Sequence, residues 1–80
     1  STENSRLLGK VYPNPSTGLI NIETSEKEVD IIIYNTIGEV IRSIPKSNKK
    51  NIQLDLKKGV YFIKLSSKKD QIIKKIIITK

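Results

Sequence analysis

Eighty residues leave room for one small domain and one hydrophobic core. The chain holds no Cys and no His, which removes disulfides, cysteine–histidine zinc sites and most nucleophile–base pairs, and no apolar run approaches the ~20 residues that span a bilayer as a helix. The net charge of +7 is lopsided, with residues 1–40 netting −3 and residues 41–80 netting +10.

Such a basic half raises the question of a polyanionic partner. No aromatics interleave with the lysines as they do on a stacking platform, so nucleic acid is not an expected partner. Residues 1–8 are polar apart from Leu7 and Leu8 and read as a linker into the first strand. They lack the apolar core of a secretory signal, so an exported protein would carry that signal on a longer precursor.

Lys10-Val11-Tyr12 is a short extended segment stopped by Pro13, a pattern suited to a sheet edge. The stretch from Tyr12 to Gly18 is the stiffest in the chain. Pro13 and Pro15 each hold φ near about −65°, remove an amide donor and push Tyr12 and Asn14 into extended conformations. Asn14 has a side chain suited to bonding backbone amides two residues on, and Gly18 accepts positive φ. The expectation is a rigid corner delivering the chain into Leu19.

From Leu19 to Glu23, Ile20 and Ile22 share one face and Asn21 takes the other. A charged connection, residues 24–28, leads to the most apolar strand, residues 29–34. There Val29, Ile31 and Ile33 face one way and Asp30, Ile32 and Tyr34 the other, and the β-branched density argues against a helix. Asn35 to Glu39 reads as a hairpin loop with Gly38 as its left-handed residue. Val40 to Ile44 is the returning strand, with Pro45 expected to stop it.

After a basic loop at 46–50, residues 51–56 alternate with Ile52, Leu54 and Leu56 facing in. Lys57-Lys58-Gly59 is a tight turn, and the next strand puts Tyr61, Ile63 and Leu65 on one face. Gln71 to Thr79 closes the chain, with Ile72, Ile76 and Ile78 on the parity of Lys74 and Ile73 and Ile77 on that of Lys75. Seven short strands, turn signals roughly every eight to twelve residues and no helical period favour an all-β, two-sheet antiparallel sandwich.

The inventory argues against an enzyme. Ser66-Ser67-Lys68-Lys69 offers a Ser–Lys pair, but in a predicted turn without an oxyanion-hole signature. Glu26, Glu28 and Asp30 offer oxygen ligands at no calcium-loop spacing, and no Gly-rich phosphate loop is present. Neither a metal nor a cofactor is expected.

Four features in register resemble the type A C-terminal sorting domain of the Bacteroidota type IX secretion system. They are Tyr12-Pro13-Asn14-Pro15 with Gly18 and Leu19 to Ile22; Ile33-Tyr34-Asn35 with Gly38 and Val40-Ile41; Leu54 and Leu56 leading into Gly59-Val60-Tyr61-Phe62; and the closing Lys74 to Ile78 with Lys80. The resemblance covers residues 9–80 and implies an immunoglobulin-like β-sandwich of about seven strands. It implies a secretion signal joined to an upstream cargo, with residues 1–8 as the candidate cleavage region. The implied partners are the outer-membrane translocon and a sortase-like signal peptidase, and the implied route runs through the periplasm to the cell surface or medium.

The resemblance also implies roles residue by residue. Pro13, Asn14, Pro15 and Gly18 would form a rigid surface corner. Gly59 and Tyr61 would set a turn and anchor the core. Lys75, Ile76, Ile78 and Lys80 would give the last strand its edge and its charge. A rival from another class is an immunoglobulin-like binding module for anionic glycan or another polyanion, whose affinity would fall steeply with salt. A third reading is a structural spacer within a repeat-bearing adhesin.

Overall fold

Isoleucine and leucine alternate along most of the segments, and each such row must be covered from one side. The computed structural model describes residues 8–12, 15, 17–48, 51–68 and 70–79. Seven strands run β1 (Gly9–Tyr12), β2 (Leu19–Thr24), β3 (Val29–Tyr34), β4 (Val40–Ser47), β5 (Asn51–Gln53), β6 (Gly59–Ser66) and β7 (Gln71–Ile78), with no helix among the described residues. They form a three-stranded sheet, order β1-β2-β5, and a four-stranded sheet, order β4-β3-β6-β7. Every neighbouring pair is antiparallel.

This is an immunoglobulin-like sandwich. Strands β1, β2 and β5 take the places of A, B and E, and β4, β3, β6 and β7 those of C′, C, F and G. Between the sheets lie Ile20, Ile22 and Ile52 from one side and Ile31, Ile33, Ile63, Leu65 and Ile76 from the other. Leu54 joins the core from just beyond β5. β3 sits between β4 and β6, and its inward residues Val29, Ile31 and Ile33 are buried as their spacing predicts. β1 is an edge strand, as the proline after it suggested.

Two expectations need correction. Pro45 does not stop β4, which runs on to Ser47. Ile44 pairs with Ile31 and Ser47 with Val29, so Pro45 and Lys46 together stand opposite Asp30 in a β-bulge. Proline is tolerated there because β4 is the edge of its sheet. The bulge puts Lys46 at φ 47°, and the Asp30 carboxylate Oδ1 accepts its amide at 2.8 Å. The second correction is at β5, which is three residues long and does not reach Leu56. One further bond continues its register with β2, the Leu54 amide donating to Gly18 O at 2.7 Å. Ile52 and Leu54 are still buried, whereas Leu56 is half-buried.

The hairpin between β3 and β4 forms as expected. Gly38 takes φ 91° and donates its amide to Asn35 O at 3.1 Å. The Asn35 side chain completes the turn, its Oδ1 accepting from the amides of Ile37 and Glu39.

Candidate functional site

The corner before β2 is built around Gly18. This residue is buried at φ 130°, and a Cβ there would lie 2.8 Å from Leu54 O. Both the dihedral and the space therefore require glycine. The Gly18–Leu54 hydrogen bond extends the β2–β5 pairing by one step and ties the turn to the chain leaving β5. Pro15 is exposed at this corner. Pro13 and Asn14 lie outside the described residues.

Tyr12, which leads into the corner, points outward from β1. It pairs with Asn21, while Lys10 pairs with Glu23. The Tyr12 hydroxyl reaches diagonally across the strands and donates to Glu23 Oε2 at 2.8 Å. That hydrogen bond, helped by partial desolvation and by the carboxylate's charge, raises the phenol's pKa above its ordinary value. At its other end β1 is clamped by two bonds to Ser25: the Leu8 amide donates to Ser25 Oγ and the Ser25 amide to Leu8 O, both at 2.9 Å.

A second turn is closed just before and within β6. Tyr61 is half-buried against the core, and its hydroxyl donates to Lys57 O at 2.9 Å, four residues upstream. This is the tyrosine corner that immunoglobulin-like sandwiches place at the start of strand F. Gly59, at φ 155°, lies inside the loop that the bond closes.

The last strand, β7, is the outer edge of the four-stranded sheet and pairs along its length with β6. Ile76 and Ile78 are fully buried, so their side chains contribute to the core. Lys75 is exposed on the outer face. Lys80 lies outside the described residues. Lys74 has the parity of the core residues yet is exposed, because it sits at the flank of the sandwich beside Val11 and Glu23. Among the described residues, no three acidic side chains come together to hold a metal ion.

A family model described as the secretion system C-terminal sorting domain matches residues 10–79. The chain belongs to this family. It is a C-terminal sorting signal of the type IX secretion system, and the family is one of secretion signals, not of catalysts. A curated relative, Beta-agarase A of Zobellia galactanivorans, is 34% identical over an alignment of 67 residues that covers 79% of this chain and 12% of the agarase. The sorting domain thus spans a small fraction of the length of that relative. The family places it on proteins exported across the outer membrane to the cell surface or medium.

The structure disperses the sequence-derived site residues of the sorting domain. Pro15 and Gly18 lie at the corner, Gly59 and Tyr61 at the bridged turn, and Lys75 on the outer face of β7. Sequence reasoning missed the Tyr12–Glu23 bond, the Asp30 cap on Lys46 and the role of Lys57 O. Each depends on strand register or on a turn's exact closure, which alternation alone does not supply.

Gly18→Ala is expected to destabilise the domain by about 2 kcal/mol or more, lowering the thermal midpoint by roughly 10 °C. An unchanged midpoint would mean that the turn relaxes without loss. In a tyrosine titration followed by NMR, Tyr12 should ionise above about pH 10 and return toward the ordinary value in Glu23→Gln. Because the folded state raises this pKa, the bond's contribution is full below the unfolded value and is lost as pH rises through the folded one.

Proposed function

We propose that the sorting domain carries an upstream cargo from the periplasm through the outer-membrane translocon of the type IX system. A sortase-like peptidase then cuts within residues 1–8 and joins the cargo to the cell surface. The observation that carries this reading is the family match over residues 10–79, which takes in nearly the whole chain. The structure supports it in one respect. The chain is a single folded sandwich in which the motif glycine Gly18 and the motif tyrosine Tyr61 each make a defined tertiary contact. On this reading the translocon recognises a folded body, with Pro15 and Lys75 exposed on its surface.

One observation favours the polyanion module as a second reading. A solvent-open groove between the free edges of β4 and β5 is lined by Arg42, Lys46, Asn51 and Gln53, with no carboxylate among the described residues that line it. A glycan bound there would be released by moderate salt.

The test is a reporter fused upstream of the chain and expressed with an N-terminal signal peptide in a type IX-competent host. The reporter should reach the surface or medium, and it should stay in the periplasm when the translocon is deleted. Mass spectrometry of the exported product should place its new C-terminus within residues 1–8. Retention in the periplasm of the competent host would contradict the proposal.

A further inference from the structure

Along β4 the side chains that share the inner face change character. Ile44 pairs with Ile31 and packs against the core. Arg42 pairs with the fully buried Ile33, and so takes the same face, yet it is exposed. Among the described strands the facing sheet ends at β5, and Arg42 lines the groove that separates the edges of β4 and β5. The bulge at Pro45 and Lys46 then brings a second cation to the same groove. Three exposed amide side chains, Asn48, Asn51 and Gln53, line it as well.

Both charges of the described lining are positive, and no ion pair joins Arg42 or Lys46 to a carboxylate among the described residues. The Asp30 carboxylate is spent on the Lys46 backbone, its Oδ1 accepting the amide at 2.8 Å, which holds the bulge in shape. Lys46 also borders a hollow lined by Glu28 and Asp30, so Arg42 is the stronger anion ligand of the two. A guanidinium presents a planar fork of donors that bonds two oxygens of one acidic group at once. The amides of Asn48, Asn51 and Gln53 carry donors and acceptors together, which is the complement of a neutral hydroxyl.

The edges on either side select the occupant. A peptide strand cannot add far along β4, where Pro45 and the bulge interrupt the edge, or along β5, which is three residues long. A nucleic acid would want rings to stack on, and no aromatic side chain is among the described residues of the groove. Arg42 and Lys46 are four residues apart, up to roughly 13 Å along an extended strand, which suits a chain with repeated acidic groups better than one small anion. We propose that the β4–β5 groove binds an acidic oligosaccharide. Arg42 bonds one carboxylate or sulfate group, Lys46 attracts another, and Asn51 and Gln53 bond the hydroxyls between them. This assignment rests on the polyanion reading and names its site and ligand; the sorting role stands independently of it.

The test is an NMR titration of the chain at low salt with an oligouronate, a sulfated dextran, a neutral dextran, inorganic polyphosphate and a polyglutamate peptide. At least one of the two acidic saccharides should shift the amides of residues 42–46 and 51–53, and the neutral dextran should not. Whichever binds more tightly identifies the acidic group as carboxylate or sulfate. Arg42→Gln should weaken that binding at least about tenfold and Lys46→Gln about threefold, with melting midpoints within about 5 °C of the unsubstituted chain. Asn51→Ala/Gln53→Ala should weaken the saccharide about fivefold and leave polyphosphate, which has no sugar hydroxyls, unchanged. The control Lys27→Gln/Lys58→Gln, outside the groove, should bind normally. Equal loss in that control, or binding that survives Arg42→Gln, overturns the proposal while the polyanion reading stands at another surface. Polyphosphate bound as tightly as the saccharides, with no effect of the amide substitutions, overturns the oligosaccharide as ligand. Polyglutamate bound through Arg42 in place of the saccharides assigns the groove to an acidic protein segment and also overturns it. No binding of any acidic probe overturns the proposal and the polyanion reading together, and leaves the sorting reading to the reporter.

Discussion

The interlock of isoleucine side chains between the two sheets is the constraint from which the rest follows. With neither a disulfide nor a histidine–cysteine metal site available, the inner layer must outweigh the entropy of ordering the chain by itself. Each fully buried Ile or Leu contributes about 1.5–3 kcal/mol, and the net margin of so small a domain is only a few such contributions. Ile20, Ile33, Ile63 and Ile76 therefore carry the fold from both sheets at once. The corner at Gly18, the bulge at Lys46 and the tyrosine bridge to Lys57 are held in place by that layer. They add little burial, but they set where the chain turns.

Much of this was legible in the sequence because burial imposes a period of two. The parity of Val29, Ile31 and Ile33 gave the inner face of β3, and Ile63 with Leu65 that of β6. Gly38 marked the hairpin because its φ requires a residue without a Cβ penalty. Pro45 was misread because a proline stops a strand only where its missing donor or its ring interferes with a neighbour. On an edge strand, with Asp30 absorbing the extra residue, it does neither. The length of β5 was overread for a related reason. Leu54 keeps its inward side chain and its amide still bonds its register partner Gly18, so alternation continues one step past the strand's end at Gln53.

The site was less legible than the fold. Ile76 and Ile78 belong to the closing motif and are core residues, so a motif position need not be a contact position. Gly18 and Tyr61 act through backbone partners distant in sequence or across a turn. A sequence reading marks such residues as special without showing whether they serve the fold or a partner. The apolar outer face of the four-stranded sheet was hidden for another reason. Alternation sets Ile32 with Tyr34, and Ile73 and Ile77 with Lys75, but only the strand register lays Ile32, Lys64 and Ile73 side by side on one outer face.

On the proposed reading the sorting domain displays its information on a folded surface, with the turns and the outer faces positioned by the inner layer. The most direct test of that claim is to unfold the domain without touching its surface. Ile63→Asp and Leu54→Asp each place a charge at a fully buried position and leave the exposed residues of the motifs unchanged. Export of the upstream reporter should be lost in parallel with the loss of β-sheet circular dichroism in the isolated domain. Normal export of a reporter carrying an unfolded variant would contradict the account, because the signal would then be read as a linear sequence.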